Sequence, residues 1–338
     1  MYTKKKAKSL QRLGFYFLLS LIFFGLTSCS QKEQKQTYKV GILCGLDYIT
    51  ELFDGFKSKM NELGYIDGEN IMYDYQRTNF EPVKEKEILT QFINSKSDLI
   101  LTFPTEVSMA AKAATRETDV PVIFAIANIE GTNLIDSITK PGKNITGVRF
   151  PGPDLAIKRF EVMREVAPHA KRMWVPYQRG YPIVANQMEV LRPVAEAEGI
   201  SLIEFPADDA AELQAKLDAR DNLDDIGFDS IFFIPEPISC TDDAFEVMAK
   251  FAYKHKMPIG GILMQVGDYG SIFGINVDVP KTGQQAAILA DKILKGTPAG
   301  AIPVVSSESY LEINYNVAQE LGIHVPDGLL NRADRIIR

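Results

Sequence analysis

An alternation that begins at Tyr38 and continues to the C-terminus constrains this chain more than any other feature: short β-branched and aromatic runs take turns with stretches of helical periodicity. Strands joined by helical crossovers lie parallel, with helices covering the sheet faces, so the expected fold class is α/β. Lys39–Cys44 reads as a strand. It feeds a helix from Thr50 whose Leu52, Phe53, Phe56, Met60 and Leu63 recur at helical spacing, and which stops at Gly64. A strand over 70–76, a helix opened by Pro82, a strand over 98–103, an Ala-rich helix from Thr105 to Arg116 and a strand over 121–126 follow. This first block ends at Asn144–Phe150.

The rhythm restarts with a helix after Pro153 and a strand at Arg172–Val175. Further strands are expected at Ser201–Phe205, Asp229–Ile234, Pro258–Ile262, Ser271–Asn276 and near Leu311–Asn314. Among the intervening helices, one is expected to be capped by Thr241, with Asp242 and Asp243 at its positive end, and one spans 281–295 and stops at Gly296. At 338 residues the chain holds about two or three domains. Two such α/β blocks suit either a tandem enzyme or a two-lobed binding protein.

The N-terminus reads as an address rather than as structure. The first 28 residues carry Lys4, Lys5, Lys6, Lys8 and Arg12 and no acid, followed by an apolar run from Gly14 to Leu26. That run is shorter than the ~20 residues a membrane-spanning helix needs. Leu26-Thr27-Ser28-Cys29 resembles the bacterial lipobox, which implies a signal peptide over 1–28, lipidation of Cys29 and a polar tether over 29–37. Removing the basic leader takes the net charge from −7 to −12, which argues against a nucleic-acid partner.

From residue 38 onward the sequence resembles the ABC-transporter substrate-binding family whose better-known members capture aromatic amino acids. The resemblance rests on Val40-Gly-Ile, Gly55-Phe-Lys, Leu63-Gly-Tyr, Gly68-Glu-Asn-Ile71, Asp98-Leu-Ile and Pro121-Val-Ile-Phe. It continues through Lys140-Pro-Gly-Lys-Asn-Ile-Thr-Gly147, Ala167-Pro-His-Ala-Lys-Arg172, Ile293-Leu-Lys-Gly296 and Leu321-Gly-Ile, in order and at similar spacing. It implies a two-lobed type I periplasmic-binding-protein fold whose chain crosses between lobes near Val148, Val277 and Asn314. The first lobe is then 38–148 with 277–313, and the second 149–276 with 314–338. The implied function is capture of a small molecule, an amino acid or related zwitterion, by hinge closure. An ABC permease, a membrane reached through the lipid anchor and the monomeric state complete the implied setting. A receptor lipoprotein that signals to an envelope partner is the alternative. One departure falls where ligand contact is expected: the family's usual Asp-Pro after the Pro-Val-Ile-Phe strand is replaced by Ala127-Asn128-Ile129-Glu130-Gly131.

Ligands of open parallel sheets bind outside the carboxyl ends of the strands. The loops there supply Asp47, Tyr48, Thr105, Glu106, Ser108 and Asn128 from the first lobe, and Arg149 and Phe150 from the crossing. From the second lobe come Tyr177, Arg179, Tyr181, Glu236, Gln265 and Asp268. The acids suit a ligand amine or a helix cap, the aromatics a ligand ring or a hydrophobic rim, and either arginine a carboxylate. No dinucleotide, P-loop, nucleophile-elbow or zinc-protease motif occurs, and His169, His255 and His324 all fall away from these loops. No enzyme activity, cofactor or metal is therefore expected. Cys44 and Cys240 are expected as separate thiols, since a bridge between them would staple the lobes.

Overall fold

The computed structural model describes residues 37–45 and 50–338. Its first sheet is wholly parallel, in the order β13-β5-β4-β3-β1-β2, from β1 (Tyr38–Cys44), β2 (Ile71–Arg77), β3 (Leu99–Phe103), β4 (Val122–Ala127), β5 (Ile145–Arg149) and β13 (Val305–Ser306). Residue alternation sorts its side chains onto two apolar faces. Val40, Ile42, Leu99, Leu101 and Ile123 pack under α1 (Glu51–Glu62) and α9 (Val279–Leu294). Leu43, Ile100, Val122 and Phe124 pack under α2 (Pro82–Asn94) and α3 (Thr105–Thr115).

The second sheet, β7-β6-β8-β9, is also parallel and uses β6 (Arg172–Gln178), β7 (Ser201–Ala207), β8 (Ser230–Phe232) and β9 (Ile259–Gly260). Around it run α4 (Gly152–Val166), α5 (Pro182–Ala197), α6 (Ala210–Asp218), α7 (Pro237–Cys240) and α8 (Asp242–Lys254). A parallel bridge from Gly261 to Gly274 continues it into β12 (Phe273–Val277), which pairs antiparallel with β14 (Ser309–Asn314); β14 pairs parallel with β15 (Arg335–Ile337). Before β12 comes a small hairpin, β10 (Gln265–Val266) and β11 (Tyr269–Gly270). After β14 come α10 (Tyr315–Leu321) and α11 (Asp327–Leu330). One core unites Phe150, Phe160, Trp174, Phe232, Phe273, Ile313 and Val317, and it defines the second lobe.

The chain thus crosses three times between two lobes, and the third crossing corrects the sequence expectation. It was expected near Asn314, with 277–313 in the first lobe. The strand Ser309–Asn314 instead pairs with β12 from Val277↔Ser309 to Phe273↔Ile313 and buries Ile313 in the second core. The chain returns at Ser307 and Glu308, where the Asp278 amide donates to the Glu308 carbonyl and the second and third crossings run side by side.

Between the crossings, α9 reaches back onto α1. The two helices meet through glycines: a Cβ on Gly283 would lie 2.0 Å from the Leu52 carbonyl oxygen, and one on Gly55 2.1 Å from that of Pro280. Both obstacles are backbone, which cannot rotate aside. Gly283→Val should therefore force the helices apart and cost at least about 1–3 kcal/mol, read as a lower melting temperature. Ile288→Ala, on the exposed side of the same helix, should change stability by less than about 0.5 kcal/mol. Equal effects would show that the close approach carries no special weight.

Candidate functional site

Both parallel sheets turn their carboxyl ends to the crossings, so the candidate site is the region between those ends. On the first lobe, Thr105 heads α3, and its hydroxyl accepts from the Asn128 amide at 3.0 Å and from the Asn128 side chain at 3.4 Å. Glu106 follows in the first helical turn. Asn128 Oδ1 would be 3.1 Å from a Cβ on Gly152, and the Phe150 ring 3.3 Å, so Thr105, Asn128 and Phe150 converge at the first crossing. Ser108 is not part of this surface: it is buried, donates to the Pro104 carbonyl and accepts from Thr102. Asp47 and Tyr48 lie outside the described residues, as does Cys29.

Sequence reasoning missed the loop after β2. Asn79 and Phe80 both have positive φ, 50° and 58°, a conformation that costs energy for residues other than glycine and is held by its surroundings. The Phe80 ring packs over Gly45, where a Cβ would come within 2.6 Å of it and push the ring aside. Behind it Thr78 is wholly buried and donates to Glu85 at 3.2 Å. Burial holds the Glu85 carboxyl above the ordinary carboxylate range, against the pull of the Thr78 hydroxyl and with Glu106 adding to the effect. Asparagine's tolerance of positive φ was the only sequence signal here.

Arg149 ties the crossings together. Its guanidinium bonds Glu130 in the loop after β4, Asp154 in the first turn of α4 at 2.6 Å and Ser306 of β13 at 2.8 Å. The Glu130 carbonyl in turn accepts from Asn186 of α5 at 2.7 Å, a direct contact between lobes. The arginine expected as a possible ligand fork is therefore engaged by two carboxylates.

The second lobe redistributes the expected contacts. Tyr177 donates to Glu204 at 3.0 Å, and Arg192 of α5 forks the same carboxylate at 2.7 and 2.9 Å, so this hydroxyl belongs to a strand-to-helix network. Burial and then the Glu204 bond raise the tyrosine pKa, while Arg192 lowers that of Glu204. Arg179 is bonded to Asp208 and Glu212. Tyr181 packs beside the second core at the start of α5.

Glu236 is buried and caps the short helix α7, accepting from the amides of Ile238 and Ser239, the Ser239 hydroxyl and, across the loop, the Gln178 amide at 2.7 Å. Cys240, at the end of that helix, reaches solvent, yet surrounding protein desolvates its thiol and pushes its pKa up to about 11. No disulfide joins it to Cys44.

Gln265 and Asp268 belong elsewhere. Their hairpin precedes β12 and meets the far end of β14, where Asn314 bonds Gln265, so they lie at the amino end of β12. There they line a separate cavity of about 710 Å³ with Tyr253, Asn314, Asn316 and Glu320. Of the histidines, His255 bonds Asp221 at 2.9 Å, and no cluster among the described residues has the makings of a metal site.

Residues 40–337 match the family described as ABC transporter substrate binding protein. A tyrosine-binding protein of Clostridioides difficile is 26% identical over 329 residues, covering 90% of this chain and 92% of the relative. An ABC domain from Streptococcus pneumoniae, solved in complex with L-Trp, superposes with a TM-score of 0.73 at 24% identity, covering 89% of this chain and 100% of that one. The ligand-free, open structure of a substrate-binding protein with adhesive properties, from Clostridium difficile, gives 0.73 at 22% identity, over 89% and 99%.

Two outcomes follow from this geometry. Glu236→Ala should orphan four donors and cost at least about 2 kcal/mol in the unliganded protein, seen in denaturant unfolding; an unchanged midpoint would contradict the capping role. The raised folded-state pKa of Glu85 means that the folded protein binds more protons than the unfolded one above about pH 4.3. Stability is therefore lost as pH rises from there through the folded pKa. Glu85→Gln should raise the melting temperature at pH 7 and leave it nearly unchanged at pH 3.5, whereas equal shifts at both pH values would contradict this.

Proposed function

The chain belongs to the ABC transporter substrate-binding protein family and has a type I periplasmic-binding-protein fold, and on that premise we propose that it captures a free aromatic amino acid between its lobes. The observation that carries this reading is the meeting of both sheets' carboxyl ends at three adjacent crossings, which presents polar loops from each lobe to one ligand. The Tyr and Trp ligands named for its relatives supply the chemical class. Thr105, Glu106, Asn128 and Phe150 offer hydrogen bonds, a negative charge for the amine and an apolar wall. Asp47 and Tyr48 complete the first lobe's share. Glu236 and Tyr177 act behind the surface by fixing the loops around them. Closure requires a ligand that binds the closed form better than the open one, so both lobes must contribute contacts.

In this reading the protein is held to the extracytoplasmic face of a membrane by lipid on Cys29 and delivers its ligand, as a monomer, to an ABC permease. No helix among the described residues is long and apolar enough to cross a membrane. Cys29→Ser should abolish incorporation of labelled palmitate and leave the melting temperature unchanged; equal labelling would contradict the anchor.

Calorimetric titration of the full chain should show binding of L-tyrosine or L-tryptophan, with a smaller radius of gyration in X-ray scattering when ligand is present. Thr105→Val and Asn128→Ala should each weaken binding by about 1–3 kcal/mol. A ligand bound with no change in shape would contradict hinge closure.

A further inference from the structure

Several arginines among the described residues are met by acids. Arg149 has Glu130 and Asp154, Arg172 has Asp225 and Asp229, Arg179 has Asp208 and Glu212, and Arg192 has Glu204. Arg159 differs. It is 1% exposed, and no carboxylate among the described residues pairs with it. Its Nε and Nη2 both donate to one acceptor, the Ile275 carbonyl, and its buried Nη1 has no hydrogen-bond partner. A buried cation without a countercharge is among the most unfavourable groups a fold can retain, and burial pulls this guanidinium down to about 9.

Its position suggests a use. Arg159 lies on the buried face of α4, two turns past Gly152, where that helix leaves the first crossing beside Asn128 and Phe150. Ile275 belongs to β12, which ends at Val277 immediately before the second crossing. Cys240, at the end of α7 after β8, is close enough for its charge and that of Arg159 to affect each other. The guanidinium therefore rests on the Ile275 carbonyl toward the carboxyl end of β12, on the side of Cys240 in the segment after β8.

We propose that Arg159 is the carboxylate anchor of the site, its free Nη1 being reserved for the acid group of the captured amino acid. The proposal rests on the reading of the cleft as an amino-acid site and names the group that tells an amino acid from its amine. A carboxylate arriving there gains a charge-assisted hydrogen bond in a desolvated setting and relieves an unpaired cation, so the protein distinguishes acid-bearing ligands from neutral or amine-only ones. Arg149 and Arg179, already held by acids, offer no such preference.

The test compares L-tyrosine with tyramine, which lacks only the carboxylate, by calorimetric titration of the full chain. The unsubstituted protein should prefer tyrosine by at least tenfold. Arg159→Gln should weaken tyrosine binding at least tenfold without weakening tyramine binding, while keeping the same circular-dichroism spectrum. An Arg159→Gln protein that retains the full preference overturns the anchor and leaves the amino-acid reading intact. An unsubstituted protein that binds neither compound, nor L-tryptophan against tryptamine, overturns the reading and the anchor with it. If Arg159→Gln does not fold, Arg159→Lys decides. Lysine keeps a charge but cannot hold the Ile275 carbonyl while presenting a second, fixed donor, so the preference should fall at least threefold; an unchanged preference overturns the proposal.

Discussion

The architecture depends on the glycine-mediated contact between α1 and α9. These helices are far apart in sequence, yet Gly55 and Gly283 let their backbones approach to a distance no side chain would permit. That contact places a segment from the end of the chain on the first sheet and completes the apolar cover over Val40, Ile42 and Leu101. Once α9 is fixed there, the chain must leave the second lobe before it and re-enter after it. The paired strands β12 and β14 flank these two passages, and the Asp278 to Glu308 hydrogen bond holds them side by side. Three connections between two lobes leave rotation about the crossings as the easiest relative motion.

Around these crossings charge is distributed to hold geometry. Arg149 draws together a first-lobe loop, a second-lobe helix start and β13, and its partner Glu130 also receives Asn186 through its carbonyl. Part of this network joins the lobes, so any change in their angle must exchange some of its bonds. Glu236 shows a related economy: by gathering the Gln178, Ile238 and Ser239 amides it fixes the loops after β6 and β8 relative to each other. Such buried, satisfied carboxylates stiffen the loops they join.

Much of the fold was legible because each parallel strand is a run of β-branched and aromatic residues bounded by turn residues, and each covering helix repeats apolar residues at three and four positions. The order of short motifs added the two-lobed topology. The third crossing was not legible, because Ser309–Asn314 has the same pattern whether it pairs with β13's neighbours or with β12; tertiary pairing decides. The loop rule placed Thr105, Asn128 and Phe150 together, and it misplaced Gln265 and Asp268 because Gly261, at φ 121°, turns the chain back after β9 into a hairpin at the other end of the sheet. Thr241 does occupy the N-cap of α8, with Asp242 and Asp243 in the first turn, but its hydroxyl donates back to the Ile238 carbonyl of the preceding short helix and caps no amide of α8. The unpaired state of Arg159 was invisible, since sequence gives no account of which acids fail to arrive.

A crystal structure of the full chain grown with L-tyrosine tests the central claim most directly. The account predicts the ligand between the lobes, touching the Thr105 and Asn128 loops on one side and second-lobe residues on the other, with its carboxylate within hydrogen-bond distance of Arg159. A ligand seated instead in the cavity beside Tyr253, Asn314 and Glu320, or held by one lobe alone, would contradict it.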